Sequence, residues 1–400
     1  MYKKIIIGFI ICLLFLSPIA AEDWNSFAGG IDNHAYRNES SDFVTNIWTF
    51  NMESPIHSSP AIHDNYVYVV SSQGILKAID METGKEEWTV DLESPTNSSP
   101  IINSNKLYVG CEDGLKAIDV NTHKIEWEYD CDNVESTPFF YEDVIYFGSD
   151  DGHLYGLDEN GTVEFDRKLD GELKSSPIVV DDSIYVGSTN SKLYCIGTNN
   201  ESKWEYTTGD EILSSPGYVN DTVIFGSIDG NVYCLNTSDG ALNWKVDLNN
   251  KVLSSPTVDE HDNNVFIGSD EGNLTCLDIR DGTIKWSFST GSKVQSTAAL
   301  KGNLVAFGST NGNFYVLNKY TGQEEFSYNP GAILFNSPII SSAVINGNSL
   351  IFGDDSGQLY SLNIEKYETP SSMQLYYSLA VLVIIVILAI VVIHKVKGRK

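Results

Sequence analysis

The sequence contains little positive charge. Its 400 residues include 25 lysines and arginines against 54 aspartates and glutamates, which gives a formal net charge of −29. Six of the basic residues lie in the two terminal segments, so residues 22–368 carry 19 basic and 54 acidic residues, a balance of −35. Such a surface is a poor partner for nucleic acid or anionic lipid. It suits cations, cationic partners, or a salty medium in which screening removes self-repulsion.

The motifs of common enzyme classes are also missing. The chain has no nucleophile elbow, phosphate-binding loop or His-Glu metal motif, and its seven histidines show no ligand spacing. Acidic turns such as Asp150-Asp151-Gly152 and Asp270-Glu271-Gly272 lack the alternating spacing of a calcium loop. We interpret them as hairpin turns and predict neither a catalytic residue nor a metal site.

Cysteine is scarce, with six residues in the chain and no Cys-x-x-Cys pair. Cys195, Cys234 and Cys276 recur at one position of successive repeats, which indicates small core residues. Cys111 and Cys131 belong on one face, but strand spacing places them roughly 10 Å apart. A disulfide needs a Cα separation below about 7 Å. We therefore expect free thiols. The alternative, a disulfide between Cys111 and Cys131, would require a loop to move.

A helical period is absent between residues 22 and 369, and an eightfold repeat of about 40 residues takes its place. Each unit starts on Ser-Ser-Pro and ends on an aromatic residue. A repeat of this length marks a repeat architecture. The proline position is held by Pro60, Pro100, Pro138, Pro177, Pro216, Pro256 and Pro338, with Ala298 in the remaining repeat.

Each repeat contains four short β-branched and aromatic runs between Gly, Asn and Asp turns, which indicates four strands joined by hairpins. The first strand that carries such an aromatic residue precedes the first complete repeat, and the eighth repeat has no last strand of this kind. The pattern predicts an all-β, eight-bladed β-propeller over residues 47–364, closed by the N-terminal strand so that no sheet edge stays open. The last-strand aromatics are Trp48, Trp88, Trp127, Phe165, Trp204, Trp244, Trp286 and Phe326.

The two ends of the chain predict export and membrane anchoring. Residues 1–21 have a charged start, a short apolar run and small residues before a cleavage site, typical of a signal peptide; an uncleaved anchor is the alternative. Residues 22–46 lead into the propeller, and residues 365–374 form a linker. Residues 375–393 are apolar and long enough to cross a bilayer.

The residues around this apolar segment predict its orientation. The basic tail 394–400 places the C-terminus in the cytoplasm, so we expect a single-pass type I protein of the cell membrane with its propeller outside. An exported chain is open to glycosylation where the host has the machinery. The sequons begin at Asn38, Asn97, Asn160, Asn200, Asn220, Asn236 and Asn273.

A ring of variable residues precedes the repeated serines. These eight positions should surround the mouth of the central channel, and the polar ones among them are our candidate ligand-binding residues. The alternative is that they are ordinary loop residues, while the serines satisfy backbone groups at the strand starts. The polar candidates are His57, Asn97, Glu135, Lys174 and Gln295, and the remaining ring positions are Leu213, Leu253 and Phe335.

The segment from Ala78 to Trp88, with the sequence AIDMETGKEEW, resembles the tryptophan-docking repeat of the pyrroloquinoline-quinone (PQQ) propellers. The resemblance covers residues 47–363 and implies that the aromatic residues pack between blades. Members of this propeller family include quinoprotein dehydrogenases, which use PQQ and Ca²⁺. They also include non-enzymatic scaffolds similar to the propeller lipoprotein of the outer-membrane β-barrel assembly machine. This chain lacks the adjacent cysteine pair of many such dehydrogenases and has near-minimal loops.

Two functions follow as expectations. The first is a membrane-anchored, extracytoplasmic scaffold without a cofactor, which binds a protein partner or a small polar ligand on one propeller face and does not bind nucleic acid. The alternative is a PQQ-dependent oxidoreductase. A sensor would need a partner, because only seven residues follow the apolar segment.

Overall fold

The computed structural model describes residues 36–37, 43–331 and 336–365. The predicted signal peptide, the apolar segment 375–393 and the basic tail lie outside these residues, as do most of the N-terminal segment and of the linker. Within the described ranges, no helix is long and apolar enough to cross a membrane.

Eight sheets, each with four antiparallel strands, form the blades of a propeller and confirm the predicted fold. Two strands precede the first blade, namely β1 (Tyr36–Arg37) and β2 (Phe43–Asn51). Blades 1 to 4 then contain β3 (Ala61–His63), β4 (Tyr66–Val70), β5 (Ile75–Asp80), β6 (Glu86–Asp91); β7 (Ile101–Asn103), β8 (Lys106–Cys111), β9 (Gly114–Asp119), β10 (Lys124–Asp130); β11 (Phe139–Tyr141), β12 (Val144–Gly148), β13 (His153–Leu157), β14 (Val163–Lys168); β15 (Ile178–Val180), β16 (Ser183–Gly187), β17 (Lys192–Gly197) and β18 (Ser202–Thr207).

The second half of the chain repeats the same order of strands. Blades 5 to 8 contain β19 (Gly217–Val219), β20 (Thr222–Gly226), β21 (Asn231–Asn236), β22 (Leu242–Asp247); β23 (Thr257–Asp259), β24 (Asn264–Gly268), β25 (Asn273–Asp278), β26 (Ile284–Ser289); β27 (Ala299–Lys301), β28 (Leu304–Gly308), β29 (Phe314–Asn318), β30 (Glu324–Tyr328); β31 (Val344–Asn346), β32 (Ser349–Gly353) and β33 (Gln358–Glu365).

Burial decreases from the centre of each blade to its rim. In blade 1, four of the five residues of β4 are buried, whereas buried and exposed residues alternate in the outermost strand β6. Blades pack face to face, so an inner strand is covered on both sides and is largely apolar, while an outer strand keeps one side exposed to solvent. The core therefore lies between neighbouring blades.

The N-terminal strand closes the ring as predicted. β2 pairs antiparallel with β33, with Trp48 opposite Ser361 and Asn51 opposite Gln358. The closing strand begins at Phe43, four residues before the predicted boundary at residue 47, and β33 extends to Glu365. This pairing leaves blade 8 with four strands and a covered edge.

Aromatic residues of the outermost strands dock each blade onto the next, as the resemblance implies. The Trp48 indole donates a hydrogen bond of 2.8 Å to the carbonyl of Met81 in blade 1. A Cβ added to Gly84 of the same turn would lie 2.5 Å from the Trp48 ring, so the glycine lets the indole approach the turn. Trp127, Trp204, Trp244 and Trp286 make the same bond to the following blade, at 2.7–2.9 Å.

Three of the predicted docking residues differ in detail. Trp88 stacks on His123 of blade 2, with ring centroids 4.9 Å apart. His123 holds the glycine position of that turn, with a positive φ of 56°. Phe165 is buried, and Phe326 packs on the core that blade 7 shares with blade 8. A phenylalanine side chain has no N–H group, so neither residue can donate the docking hydrogen bond that the indoles make.

The predicted start of blade 8 is wrong by five residues. Its innermost strand follows Ser341-Ser342-Ala343 and not Asn336-Ser337-Pro338, because Gly353 donates its N–H to Ser341 Oγ as Gly148 does to Ser136 Oγ in blade 3. Pro338 instead matches Pro55, since the carbonyls of both accept the same linker bond. The ring residue of blade 8 is therefore Ile340, and Phe335 lies outside the described residues.

Blade 7 carries a fifth strand that the sequence pattern does not predict. β1 pairs in parallel with the innermost strand β27, with Tyr36 opposite Leu300 and Arg37 opposite Lys301. Since β27 already pairs with β28 on its other side, β1 lies on the edge that faces the central channel.

Candidate functional site

One face of the propeller brings the candidate residues together. Strands alternate in direction along each blade, so the linkers that precede the innermost strands share a face with the turns between second and third strands. Backbone hydrogen bonds join linker and turn, for example from Asp150 N to Asn133 O at 2.8 Å in blade 3. We term this side the ring face, and the other side the opposite face.

The first repeated serine holds its own blade together. Its hydroxyl accepts a hydrogen bond of 2.8–3.3 Å from the backbone N–H that ends the second strand. This bond is present in blades 3 to 8, at Ser136, Ser175, Ser214, Ser254, Ser296 and Ser341. The prediction that the serines satisfy backbone groups is confirmed.

The second position of the repeat joins neighbouring blades. Its hydroxyl accepts the N–H of the equivalent residue in the preceding blade, at 2.8–3.2 Å. One such bond joins blade 8 to blade 1, from Ser342 N to Ser59 Oγ. The others link Ser59 to Ser99, Thr137 to Ser176, Ser176 to Ser215, Ser215 to Ser255 and Thr297 to Ser342. The ring residues therefore start from a rigid frame of hydrogen bonds.

His57 connects three blades on the ring face. Its Nδ1 lies 3.0 Å from Asn97 Oδ1 in blade 2, and its Nε2 lies 2.6 Å from Asp355 Oδ1 in blade 8. The predicted neighbours His57 and Asn97 are thus in direct contact. The imidazole is about two-thirds buried, so its position is fixed from both sides.

Glu135 and Lys174 form the second polar group. The Lys174 ammonium lies 3.3 Å from Glu135 Oε1, 3.2 Å from Asp150 Oδ2 and 3.4 Å from Glu172 Oε2. Asn133 Nδ2 donates to Asp150 and Glu135 from the other side. Burial alone would lower the pKa of Lys174, but the charge of Glu135 and the bond to Asp150 raise it. The lysine therefore stays charged and holds the carboxylates in place.

Gln295 stands apart in blade 7. It donates from Nε2 to Asp270 Oδ1 at 2.8 Å, while Lys293 binds the other oxygen of that carboxylate at 2.8 Å. Leu213, Leu253 and Ile340 complete the circle as half-buried apolar residues. The ring is therefore polar over blades 1 to 4 and mainly apolar beyond, as predicted.

Sequence reasoning missed the acidic partners of the ring. Asp355, Asp150 and Asp270 follow the end of the second strand, where the pattern indicates only turn residues. In the structure each binds the ring residue of the next blade, namely His57, Lys174 and Gln295. The signal was an aspartate two residues after the strand-ending glycine in these three blades alone.

Histidine, cysteine and acidic side chains are spread over the part of the chain that the structure describes. There, no group of three or more His, Cys, Asp or Glu side chains is arranged to hold a metal ion. Cys111 and Cys131 are both on the ring face and both free. Burial raises the pKa of each of these two thiols to about 12, so neither is a reactive thiolate at neutral pH.

Fold, blade docking and repeat together define a PQQ-like propeller, and sequence comparison gives the family. The model of the family PQQ_2, described as "Outer membrane protein assembly factor BamB", matches residues 45–210, 198–329 and 261–366. These matches extend over most of the chain, which therefore belongs to this family of PQQ-like propellers. The comparison with curated proteins finds no match.

Solved structures share the fold at low sequence identity. BamB from Moraxella catarrhalis is 16% identical, with a TM-score of 0.67 over 80% of this chain and 100% of that one. The quinohemoprotein alcohol dehydrogenase from Comamonas testosteroni is 13% identical, with a TM-score of 0.72 over 86% and 81%. The computationally designed Ika8 protein is 18% identical, with a TM-score of 0.70 over 83% and 99%. At these identities the likeness shows the fold alone, because one propeller carries many functions.

Proposed function

We propose that this chain is a non-enzymatic binding scaffold that uses the ring face to hold a protein partner or a small polar ligand. The observation that carries the proposal is the contact between adjacent ring residues, His57 with Asn97 and Glu135 with Lys174. Such pairs are held before any partner arrives, and preorganised groups lose little entropy on binding. The family description names an assembly factor, which favours a protein as the partner.

We propose further that the scaffold works without PQQ. A calcium ion of the kind that accompanies PQQ takes six to eight oxygen ligands. At the ring, Glu135, Asp150 and Glu172 converge, but the Lys174 ammonium lies within 3.4 Å of all three carboxylates. These residues do not fit a bound calcium ion, because the ammonium occupies the position between the carboxylates.

We propose a membrane anchor in residues 375–393, with the propeller outside and the basic tail in the cytoplasm. The direction of β33 supports this arrangement, since it starts at Gln358 beside a ring-face turn and ends at Glu365 on the opposite face. A membrane anchor that follows the end of β33 would leave the opposite face toward the membrane and the ring face turned away from it. The sequons at Asn160, Asn200 and Asn236 lie near turns of the opposite face, so glycans there would not cover the ring.

The test of the scaffold is cross-linking from both faces of one blade in cells of the native host. In one variant a photoreactive residue replaces Asp132 in the ring-face linker of blade 3, and in a matched variant it replaces Glu142 in the turn on the opposite face. Both residues are exposed. We expect a discrete cross-linked partner from position 132 only, lost when Glu135→Gln and Lys174→Met are added. Equal adducts from both faces, or adducts that survive the double substitution, would contradict the proposal.

A further inference from the structure

Two consecutive positions near the end of the outermost strands break the repeat in blade 3 alone. The first lies two residues after the docking aromatic and so on the same side of the strand; blade 3 has Arg167 there, and the other seven blades have apolar or aromatic residues. The second is polar or acidic in seven blades, but blade 3 has Lys168. The residues of the other blades are Phe50, Val90, Tyr129, Tyr206, Val246, Phe288 and Tyr328 at the first position, and Asn51, Asp91, Asp130, Thr207, Asp247, Ser289 and Asn329 at the second. Two added cations in a chain with a formal net charge of −29 set the junction of blades 3 and 4 apart.

This junction contains a cavity of about 370 Å³. The end of β14 and the outer strands β17 and β18 form its walls, so it lies along the rim of the propeller and includes no ring residue. Its buried apolar lining consists of Leu169, Tyr194 and Ile196. Sites for small molecules have volumes of about 300–1,000 Å³ and combine apolar walls with a few polar groups. The cavity is therefore large enough for a small organic molecule.

Arg167 lines this cavity and is held in place by neutral groups. Its Nη1 donates to the carbonyl oxygen of Asn200 at 3.2 Å and to Asn200 Oδ1 at 3.4 Å, and its Nη2 donates to Ser202 Oγ. The guanidinium forms no ion pair with a carboxylate of the described residues. The three bonds leave at least two of its five N–H donors for a ligand. Such a group recognises carboxylate and phosphate oxygens through paired hydrogen bonds.

Two lysines of the cavity lining are also held by neutral oxygen atoms. Lys203 donates to the carbonyl of Asp182 at 3.0 Å and to Ser183 Oγ at 2.6 Å. Lys168 donates to the carbonyl of Asp151. Within the part of the chain that the structure describes, neither lysine forms an ion pair, so both leave their positive charge uncompensated.

The acidic residues of the lining do not cancel this charge. They are Asp170 and Glu205, and Glu205 is already paired with Lys192 at 2.7 Å. Three cations without an acidic partner thus face one carboxylate that is not paired among the described residues. The cavity has a positive balance in a protein whose surface as a whole repels anions.

We propose that the cavity between blades 3 and 4 binds a small organic anion, with its carboxylate or phosphate group on Arg167 and its nonpolar part against Leu169 and Ile196. The site is independent of the proposed function, because it shares no residue with the ring. The guanidinium is fixed before a ligand arrives, so little side-chain entropy is lost on binding.

The experiment is isothermal titration calorimetry of the purified full chain with phenyl phosphate and with benzoate. We expect saturable binding of at least one of these anions, with a dissociation constant of about 1 mM or lower. The anion that binds more tightly shows whether the site recognises phosphate or carboxylate.

Arg167→Tyr tests the assigned residue. This variant should fold, because tyrosine holds the same position in blades 2, 4 and 7. We expect it to weaken binding at least about tenfold, since charge-assisted hydrogen bonds are lost. The matched control is Arg280→Gln, which removes an exposed guanidinium paired with Asp278 and should leave the affinity unchanged.

Three results would overturn the proposal. The first is the absence of saturable binding of both anions to a chain shown to be folded by circular dichroism. The second is an equal affinity of the native chain and Arg167→Tyr, or an equal loss in Arg167→Tyr and Arg280→Gln. The third covers the case in which Arg167→Tyr fails to fold: Lys203→Gln changes an exposed side chain, and an unchanged affinity in that variant would exclude the site.

Discussion

At the scale of single residues, one of the most buried charges of the described residues lies on the face opposite the ring. Lys319 of blade 7 is 1% exposed, and its ammonium lies 2.7 Å from both Asp259 Oδ2 and Asp262 Oδ2 of blade 6. Asp259 is equally buried, while Asp262 keeps contact with water. Because removal of one partner leaves a charge without compensation, this group couples the two blades strongly.

We predict that Lys319→Met lowers the free energy of unfolding by about 3–5 kcal/mol, since Asp259 then stays buried and unpaired. Chemical denaturation measures the loss. The matched control is Lys77→Met, which breaks a pair with Glu86 of similar length, 2.6 Å, at a more exposed site and should cost less than about 1 kcal/mol. Similar losses in the two variants would contradict the assignment of a special role to Lys319.

The same group predicts an acid dependence of stability. Partial burial alone would raise the pKa of Asp262, but hydrogen bonds from Lys319, Tyr320 and His261 lower it to about 2. A carboxyl with a lowered pKa stabilises the fold fully above its ordinary value near 3.8 and loses this contribution as the pH falls toward 2. Asp262→Asn should therefore flatten the fall in melting temperature between pH 4 and pH 2, relative to the native chain. An unchanged slope would refute this explanation.

Sequence alone placed seven of the eight ring positions, all but that of blade 8, and it did not reveal their partners. His57, Glu135 and Lys174 could be found because a variable residue next to repeated serines stands out in a repeat. Their pairing with Asp355 and Asp150 could not be found from the sequence, because it depends on the rotation between neighbouring blades. A contact between residues 298 positions apart, such as His57 with Asp355, has no local signal.

At the scale of elements, the tryptophan–glycine contact is the unit that joins blades. In blade 5, Trp244 is 8% exposed and donates to Ile279 O at 2.8 Å. It covers Gly282 of the next blade, where an added Cβ would lie 2.8 Å from the indole ring. Close approach and hydrogen bond together fix the angle at which blade 6 follows blade 5.

This contact can be tested with two glycines of equal backbone conformation. Gly282 and Gly291 have φ of 73° and 75°, but nothing lies within 4 Å of a Cβ at Gly291. Gly291→Ala should cost about 1–2 kcal/mol for the left-handed conformation alone. Gly282→Ala should cost about 1–3 kcal/mol more, since the indole must move. Equal losses on chemical denaturation would show that the indole contact adds nothing.

The error in blade 8 shows the limit of pattern reasoning for elements. Ser337-Pro338 looks like a strand start, but Ser54-Pro55 stands at the same place before blade 1, where the true start at Ser58 follows four residues later. Both segments belong to the linker. Hydrogen bonds such as those from Gly353 N to Ser341 Oγ and from Asp355 N to the Pro338 carbonyl distinguish strand start from linker. A motif two residues long cannot carry that information.

At the scale of the whole molecule, one strand holds the ring closed. β2 is supplied by the N-terminus and pairs with β33 at the C-terminal end. The number of blades and this closure followed from counting aromatic strands, which is robust because every repeat must bury the same face. The parallel strand β1 could not be predicted, since a two-residue pairing leaves no pattern in the sequence.

Closure predicts a difference between two N-terminal deletions. Removal of residues 22–51 should expose the edge of β33 and produce oligomers, because an open edge recruits further strands. Removal of residues 22–42 keeps β2 and should leave a monomer. Light scattering on both variants distinguishes these outcomes, and a stable monomer after the longer deletion would show that β2 is dispensable.

We propose above all that the chain is a binding scaffold and does not use PQQ. Equilibrium dialysis of the purified, folded chain against PQQ with excess Ca²⁺ tests it most directly, with free PQQ measured by absorbance on both sides of the membrane. We predict equal PQQ concentrations on the two sides, and the same result for Lys174→Met. Saturable binding at micromolar PQQ or below in the native chain would contradict this claim and favour a quinoprotein oxidoreductase.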